Sequence, residues 1–143
     1  MDYAYAQFFT GRQDTGIMDH YRAHLSDGFP GRTLSAVCVS AAPTRQEALE
    51  QSLMAANFRG SLGTGRPVTF VTASQMDAET RSLLTSYVLS NEDTIFVGDY
   101  DEVADKLTAF QDAHHVDELM LISYIDNVQT KVERYRQLAK RLI

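Results

Sequence analysis

Short apolar runs alternate with longer stretches of helical periodicity along this chain. That alternation restricts it to folds in which helices cross over between parallel strands. Three runs read as strands: Tyr3 to Phe9 (YAYAQFF), Leu34 to Ala41 (LSAVCVSA) and Glu118 to Ser123 (ELMLIS). They are nearly continuous in apolar and small residues, the pattern of strands covered on both faces. A shorter extended stretch, Thr94 to Val97 (TIFV), need not be a strand of the same sheet.

The helices between them are marked by spacing and by their starts. Asp14 or Thr15 is placed to cap a helix carrying Ile17, Met18, Tyr21 and Leu25. A Gly- and Pro-rich loop follows from Ser26 to Arg32. Thr44 and Glu47 have capping-box spacing ahead of a helix with Leu49, Leu53 and Ala56 on one face. Gly60 to Pro67 (GSLGTGRP) reads as a connecting loop; its glycine spacing is not that of a P-loop, and no Gly-Lys-Ser/Thr ending is present. Ala78 to Leu89 is a helix with Leu83, Leu84, Tyr87 and Val88 assigned to its inner side. Asp99 and Glu102 repeat the capping-box spacing before a helix from Tyr100 to about Ala113, with Val103, Leu107 and Phe110 inward. The last helix begins near Asp126 or Asn127 and carries Val128, Val132, Tyr135, Leu138 and Leu142.

Composition narrows the function. The 143 residues suit one domain, with 44% apolar and 22% charged residues. A formal charge of -6 argues against a nucleic-acid partner, because an acidic chain repels phosphate backbones. The clearest basic cluster, Lys131, Arg134, Arg136, Lys140 and Arg141, reads as the solvated face of the last helix. A single cysteine, Cys38, excludes an internal disulfide and a Cys-based metal site. It fits a reducing, cytoplasmic setting and reads as a core thiol. No apolar run has the length of a membrane span, and the N-terminus lacks signal-peptide character. His20 and His24 share a helix face without the carboxylate of a His-Glu-x-x-His metal site, and no Gly-x-Ser-x-Gly elbow is present. No metal is expected.

Several segments carry a family likeness. VGDYDEVADKLTAFQDAHHVDELMLIS resembles the C-terminal signature of luciferase-like flavin-dependent monooxygenases, in which a Gly-Thr-Pro-Glu-x-Val helix start leads through a Gly-Val-Asp-Glu-Leu turn into the last barrel strand. Gly98, Glu102, Val103, Val116, Asp117, Glu118 and Leu119 match. Tyr135, Leu138 and Ala139 match the Ser-Tyr-x-x-Leu-Ala of the family's final helix. MDYAYAQFF resembles the strand that opens the sixth βα unit, and Tyr21-Arg22 matches a pair in the helix after it. Thr44, Glu47 and Ala48 match the helix start after the seventh strand. Asp99-Tyr100 replaces the usual Thr-Pro, Asp2 the usual Pro, and His115 stands where Gly ordinarily ends the helix. A left-handed C-cap at His115 is therefore expected to be strained or absent.

The resemblance implies an α/β fold: a partial (β/α)8 TIM barrel made of the last three βα units with parallel strands, residues 1–143 forming the C-terminal portion. A closed barrel needs eight strands and about 250 residues, so the sequence reads as too short for the whole enzyme, with the first five units lying before Met1. The implied reaction is the oxygen-dependent oxidation of a small organic substrate by reduced flavin, FMN or a deazaflavin in its place, inactive in this portion alone. Strand ends would face the flavin, which marks Gln7, Phe9, Ser40, Ser123 and Tyr124 as cofactor-binding candidates; no catalytic residue is assigned. The alternative is a non-catalytic module that binds flavin or oligomerises through exposed sheet edges and an uncovered apolar face.

Overall fold

The computed structural model describes residues 4–8, 16–64, 70–92 and 94–143. In chain order the elements are β1 (Tyr5–Phe8), α1 (Gly16–Ala23), β2 (Thr33–Ala42), α2 (Arg45–Thr64), a single 3-10 turn (Ala73–Gln75), α3 (Ala78–Leu89), β3 (Phe96–Asp99), α4 (Tyr100–His114), β4 (Glu118–Ile122) and α5 (Val128–Leu142). Every strand pairing is parallel. Strand β2 is the hub. Its first half pairs with β1, Tyr5 opposite Thr33 and Phe8 opposite Ala36. It also pairs with β4, Leu34 opposite Glu118 and Cys38 opposite Ile122. Its last four residues extend beyond both and pair with β3, Val39 opposite Phe96 and Ala42 opposite Asp99. The short stretch near Val97 is thus a strand of the sheet, set above the other two neighbours of β2. The sheet is open, not closed into a barrel.

Alternation along β2 sends its side chains to two different layers. Val37, Val39 and Ala41 join Met18 of α1, Leu107 and Phe110 of α4 and Leu138 of α5 in the larger core. Ala42, with Val97 of β3, packs instead with Ala48, Leu53 and Ala56 of α2 and Val88 of α3. Helices therefore cover both faces of the upper sheet, which explains why β2 from Val37 to Ala42 is almost free of solvent contact. Small residues on α2 let its backbone approach the strand closely. The lower sheet differs: Phe8 is 40% exposed and Met120 51% exposed, so part of the face that a closed barrel would enclose stays open.

The local signals act as expected at three helix starts. The Glu47 N–H donates to Thr44 Oγ1 at 3.2 Å. Asp99 Oδ1 accepts from the N–H groups of Asp101 and Glu102 at 3.1 and 2.9 Å. Asn127 Oδ1 accepts from the Thr130 N–H at 2.9 Å. The Glu102 carboxylate does not serve its own helix start; it binds Lys106 at 2.8 Å and also Arg45. The proposed caps Asp14 and Thr15 lie outside the described residues.

Three expectations are corrected. Residues 60–64 are the last turn of α2, not loop; Ser61 and Thr64 hydroxyls donate back to the carbonyls of Asn57 and Gly60, and packing of the Leu53–Ala56 face carries the helix through its glycines. Leu83 and Tyr87 of α3 are exposed, because only Val88 and Leu84 meet α2. The partner-facing stripe of α3 is narrower than its apolar composition suggests. On α5, Val128 is exposed while Leu138 is buried. Arg134 is not a solvated charge: its side chain is 17% exposed and donates to the Ala41 carbonyl at 2.9 Å and Gln51 Oε1 at 2.6 Å. The carbonyl ends of β2, extended past its neighbours, need donors, and Arg134 supplies one.

His115 does adopt the left-handed conformation, φ 51° and ψ 44°. The Val116 N–H reaches back to the Gln111 carbonyl and the His115 N–H to that of Asp112, the two bonds of a Schellman ending. The His115 carbonyl is held by Arg22, with the Thr33 hydroxyl at 3.3 Å.

Candidate functional site

Strand β4 ends at Ile122, and the chain turns through Ser123 to Asp126 before Asn127 starts α5. This turn forms one wall of a cleft of 410 Å³ at the C-terminal end of the sheet. Ile122, Ser123, Tyr124, Ile125, Asp126 and Lys131 line it from the β4–α5 side, and Met54, Phe70 and Thr72 face them. A second cleft of 330 Å³ shares Met54, Thr72, Tyr124, Ile125 and Asp126 and adds a polar side made of Glu50, Gln51, Ser74, Thr130 and Arg134. The two form one continuous depression, apolar at one end and polar at the other.

Three rings furnish the apolar end. Phe58 and Phe70 stack with centroids 5.0 Å apart and planes 12° from parallel. Tyr124 lies 5.2 Å from Phe58 and 6.3 Å from Phe70. Phe70 is 63% exposed, so it presents a flat apolar surface to incoming molecules. Arg59, next to Phe58 on α2, stands over the Phe8 ring at 5.6 Å. Its Nη2 is buried without a hydrogen-bond partner among the described residues, and so is Gln51 Nε2.

Two titratable groups here, Cys38 and Tyr124, are held neutral. Burial pushes the Cys38 thiol up, with Arg59 opposing. Burial likewise raises the Tyr124 phenol. Neither is prepared as a nucleophile at neutral pH. The described residues include no group of three His, Cys, Asp or Glu side chains able to hold a metal ion. His20 and His24 lie ring against ring at 4.1 Å, and His24 Nδ1 pairs with the His20 carbonyl at 2.8 Å.

The structure brings only two of the sequence candidates to the cleft. Tyr124 is on its wall. Ser123 is beside it and almost buried: its N–H and hydroxyl donate to the Tyr135 hydroxyl at 3.1 and 2.9 Å, and that hydroxyl donates to the Leu121 carbonyl at 3.1 Å. Ser40 is buried in the sheet opposite Val97. Gln7 is half-buried and accepts from the Tyr5 hydroxyl at 3.3 Å, on the face where Tyr5 packs on Tyr21 of α1. Phe9 lies outside the described residues. Met54, Phe58, Arg59 and Phe70 were missed. They sit on α2 and just before the 3-10 turn; the aromatic character of Phe58 and Phe70 beside a presumed loop is the signal the sequence carries for them.

No protein-family model and no curated protein matches the chain. Solved structures do. Over 99% of its length the chain is similar to apo-MsnO8, with a TM-score of 0.72 and 28% identity. It is also similar to the long-chain alkane monooxygenase LadA, again over 99% of its length, with a TM-score of 0.57 and 17% identity, a likeness of fold alone. The chain spans 44% and 37% of those two chains. It thus carries part of the fold of the luciferase-like flavin monooxygenases, with a parallel sheet that is not closed into a barrel. No helix among the described residues is long and apolar enough to cross a membrane.

Proposed function

We propose that residues 1–143 act as the C-terminal portion of a luciferase-like, flavin-dependent monooxygenase barrel and are inactive without the remaining strands. The observation that carries this reading is the likeness to apo-MsnO8 over nearly the full chain, at 28% identity. The position of the cleft supports it, because barrel enzymes build their sites at the C-terminal ends of the strands. The residues present fit one flank of a flavin. Phe70, Tyr124, Ile122 and Met54 offer an apolar wall for its ring system, and Gln51 Nε2 is a buried donor available to a ring carbonyl.

When bound, FMN, or a deazaflavin in its place, would supply the redox chemistry for oxidation of a small organic substrate. The chain's own residues orient and shield. Tyr135 fixes Ser123 through two hydrogen bonds, which sets the direction of Tyr124. The Phe58, Phe70 and Tyr124 rings would shield that side of a bound ring system from water. Within this proposal Ser123 and Tyr124 approach the cofactor, and Gln7 and Ser40 serve the sheet. Titrating FMN with the protein and following flavin fluorescence tests it: saturable quenching, weakened by Tyr124→Ala, is expected, and no quenching at high micromolar FMN overturns it.

A second reading, an oligomerising module, is favoured by one observation. Phe8 and Met120 expose apolar surface on the same open sheet whose strands β1 and β4 each have only β2 as a partner among the described residues. Such surfaces recruit another chain. Light scattering is expected to show a dimer or larger species; a monodisperse monomer sinks it. The cytoplasmic setting belongs to the same proposal and rests on the free, buried Cys38.

A further inference from the structure

His20 and His24 stand one helical turn apart at the end of α1, and both are exposed to solvent. A spacing of four residues puts them on one face. Their ring centroids are 4.1 Å apart, with planes 36° from parallel. His24 Nδ1 lies 2.8 Å from the His20 carbonyl oxygen. A carbonyl oxygen only accepts, so Nδ1 carries the proton and donates, and the lone pair of the neutral ring is then on Nε2. Metal-binding histidines are commonly prepared in this way: one ring nitrogen is tied to a backbone carbonyl and the other is left to the ion. The C-terminal end of a helix adds partial negative charge that favours a cation, and the chain as a whole carries a formal charge of -6. The absent glutamate of a His-Glu-x-x-His sequence takes a general base from this pair but not its nitrogen ligands.

We propose that His20 and His24 form an exchangeable site for a late first-row divalent ion, Zn²⁺, Ni²⁺ or Cu²⁺, held by one nitrogen of each ring with water completing its shell. Imidazole nitrogen bonds such ions at about 2.0–2.1 Å, so a single ion spans two rings this close. Mg²⁺ and Ca²⁺ are discriminated against, because they take oxygen ligands. With two side-chain ligands the site falls short of the three or four that fix a catalytic or structural zinc, so the ion comes and goes. Its effect is on α1. A helix of 8 residues is marginal by itself, and an ion that binds only the folded turn stabilises it by mass action. Arg22, between the two histidines, ties the same turn to Thr33 Oγ1 at 2.9 Å and to the His115 carbonyl. The clamp therefore reaches the start of β2. This site is independent of the flavin reading above.

The test titrates the 143-residue chain with Cu²⁺, the ion that an imidazole pair holds most tightly among these. Calorimetry gives the affinity, and electron paramagnetic resonance should show two coordinated imidazole nitrogens. His20→Ala should weaken binding about tenfold or more, because a second ligand is no longer presented from the same turn, and should leave one nitrogen in the spectrum. His24→Ala should do the same. His114→Ala, which keeps the pair, should change neither reading. Zn²⁺ should raise the thermal unfolding midpoint of the wild type and not that of His20→Ala, and Mg²⁺ should leave both midpoints unchanged. Circular dichroism establishes that each variant folds, and if His24→Ala does not, the wild type and His20→Ala decide the matter. Binding that is not weakened by His20→Ala, a wild-type spectrum with fewer than two imidazole nitrogens, or no Cu²⁺ binding below millimolar concentration each overturn the proposal.

Discussion

Asp117 and Thr33, 84 positions apart, are tied by three hydrogen bonds: Asp117 Oδ2 accepts from the Thr33 N–H at 2.7 Å and from its hydroxyl at 2.8 Å, and the Asp117 N–H meets Thr33 Oγ1 at 3.2 Å. They join the first residue of β2 to the turn into β4 and so set the register of that pair. Bonds from Thr33 pull the Asp117 carboxyl below its ordinary value, burial opposes, and Arg22 adds to the pull. A depressed carboxyl contributes stability above the unfolded value, about 3.9, and loses it as pH falls through the folded one. Thr33→Val should cost about 1–2 kcal/mol at pH 7 and move the Asp117 titration upward, read by NMR. Asp117→Asn should cost less, about 1 kcal/mol, because the carboxylate is half exposed. It should also flatten the acid limb of the stability curve below about pH 4.

His115→Gly should stabilise the protein. The position is left-handed at φ 51°, where a side chain costs energy that glycine avoids. The gain expected is about 0.5–1 kcal/mol in urea denaturation. The bonds from Arg22 and Thr33 go to the His115 carbonyl and survive the change. A loss of stability would show that the imidazole makes contributions of its own.

Arg45 links α2 to the turn at Glu92 and to Glu102 of α4, and Lys106 completes the group. Burial raises the Glu102 carboxyl, but Lys106 and Arg45 outweigh it and leave the group below its ordinary value. A double-mutant cycle of Arg45→Met with Glu102→Gln should show a coupling of about 1 kcal/mol. That coupling should shrink in 1 M salt. Additive effects would mean the two charges act independently.

Cys38 should resist thiol reagents. Its side chain is buried and its thiolate disfavoured, so labelling requires opening of the sheet under α2. A rate about a hundredfold or more below that of the urea-unfolded chain is expected. Rapid labelling of the folded protein would show that α2 does not stay on the sheet.

The candidate site was only partly legible. Ser123 and Tyr124 were found because strand ends at the C-terminal side of such a sheet are where sites form, and that rule needs only the strand boundaries. Phe58, Arg59 and Phe70 escaped notice because their meeting depends on α2 running back along β2, which no periodicity encodes. Gln7 was read from its place at a strand end, whereas its side chain lies on the face packed by α1. A one-residue change of parity decides such matters, and the irregular alternation of YAYAQFF did not fix it.

From the residues alone follow the alternation of strands and helices, the caps at Thr44 and Asp99, the start of the last helix near Asp126 or Asn127, and the inward stripe Val103, Leu107 and Phe110. Each is a local property, written in spacings of two to four residues. Only the tertiary structure decided that Phe96 to Asp99 joins the sheet, that α2 covers the face opposite α1 and α4, and that Arg134 is consumed by the end of β2. Those outcomes depend on which distant segments share space, and charge pairing between residues dozens of positions apart leaves no trace in the order of a single chain.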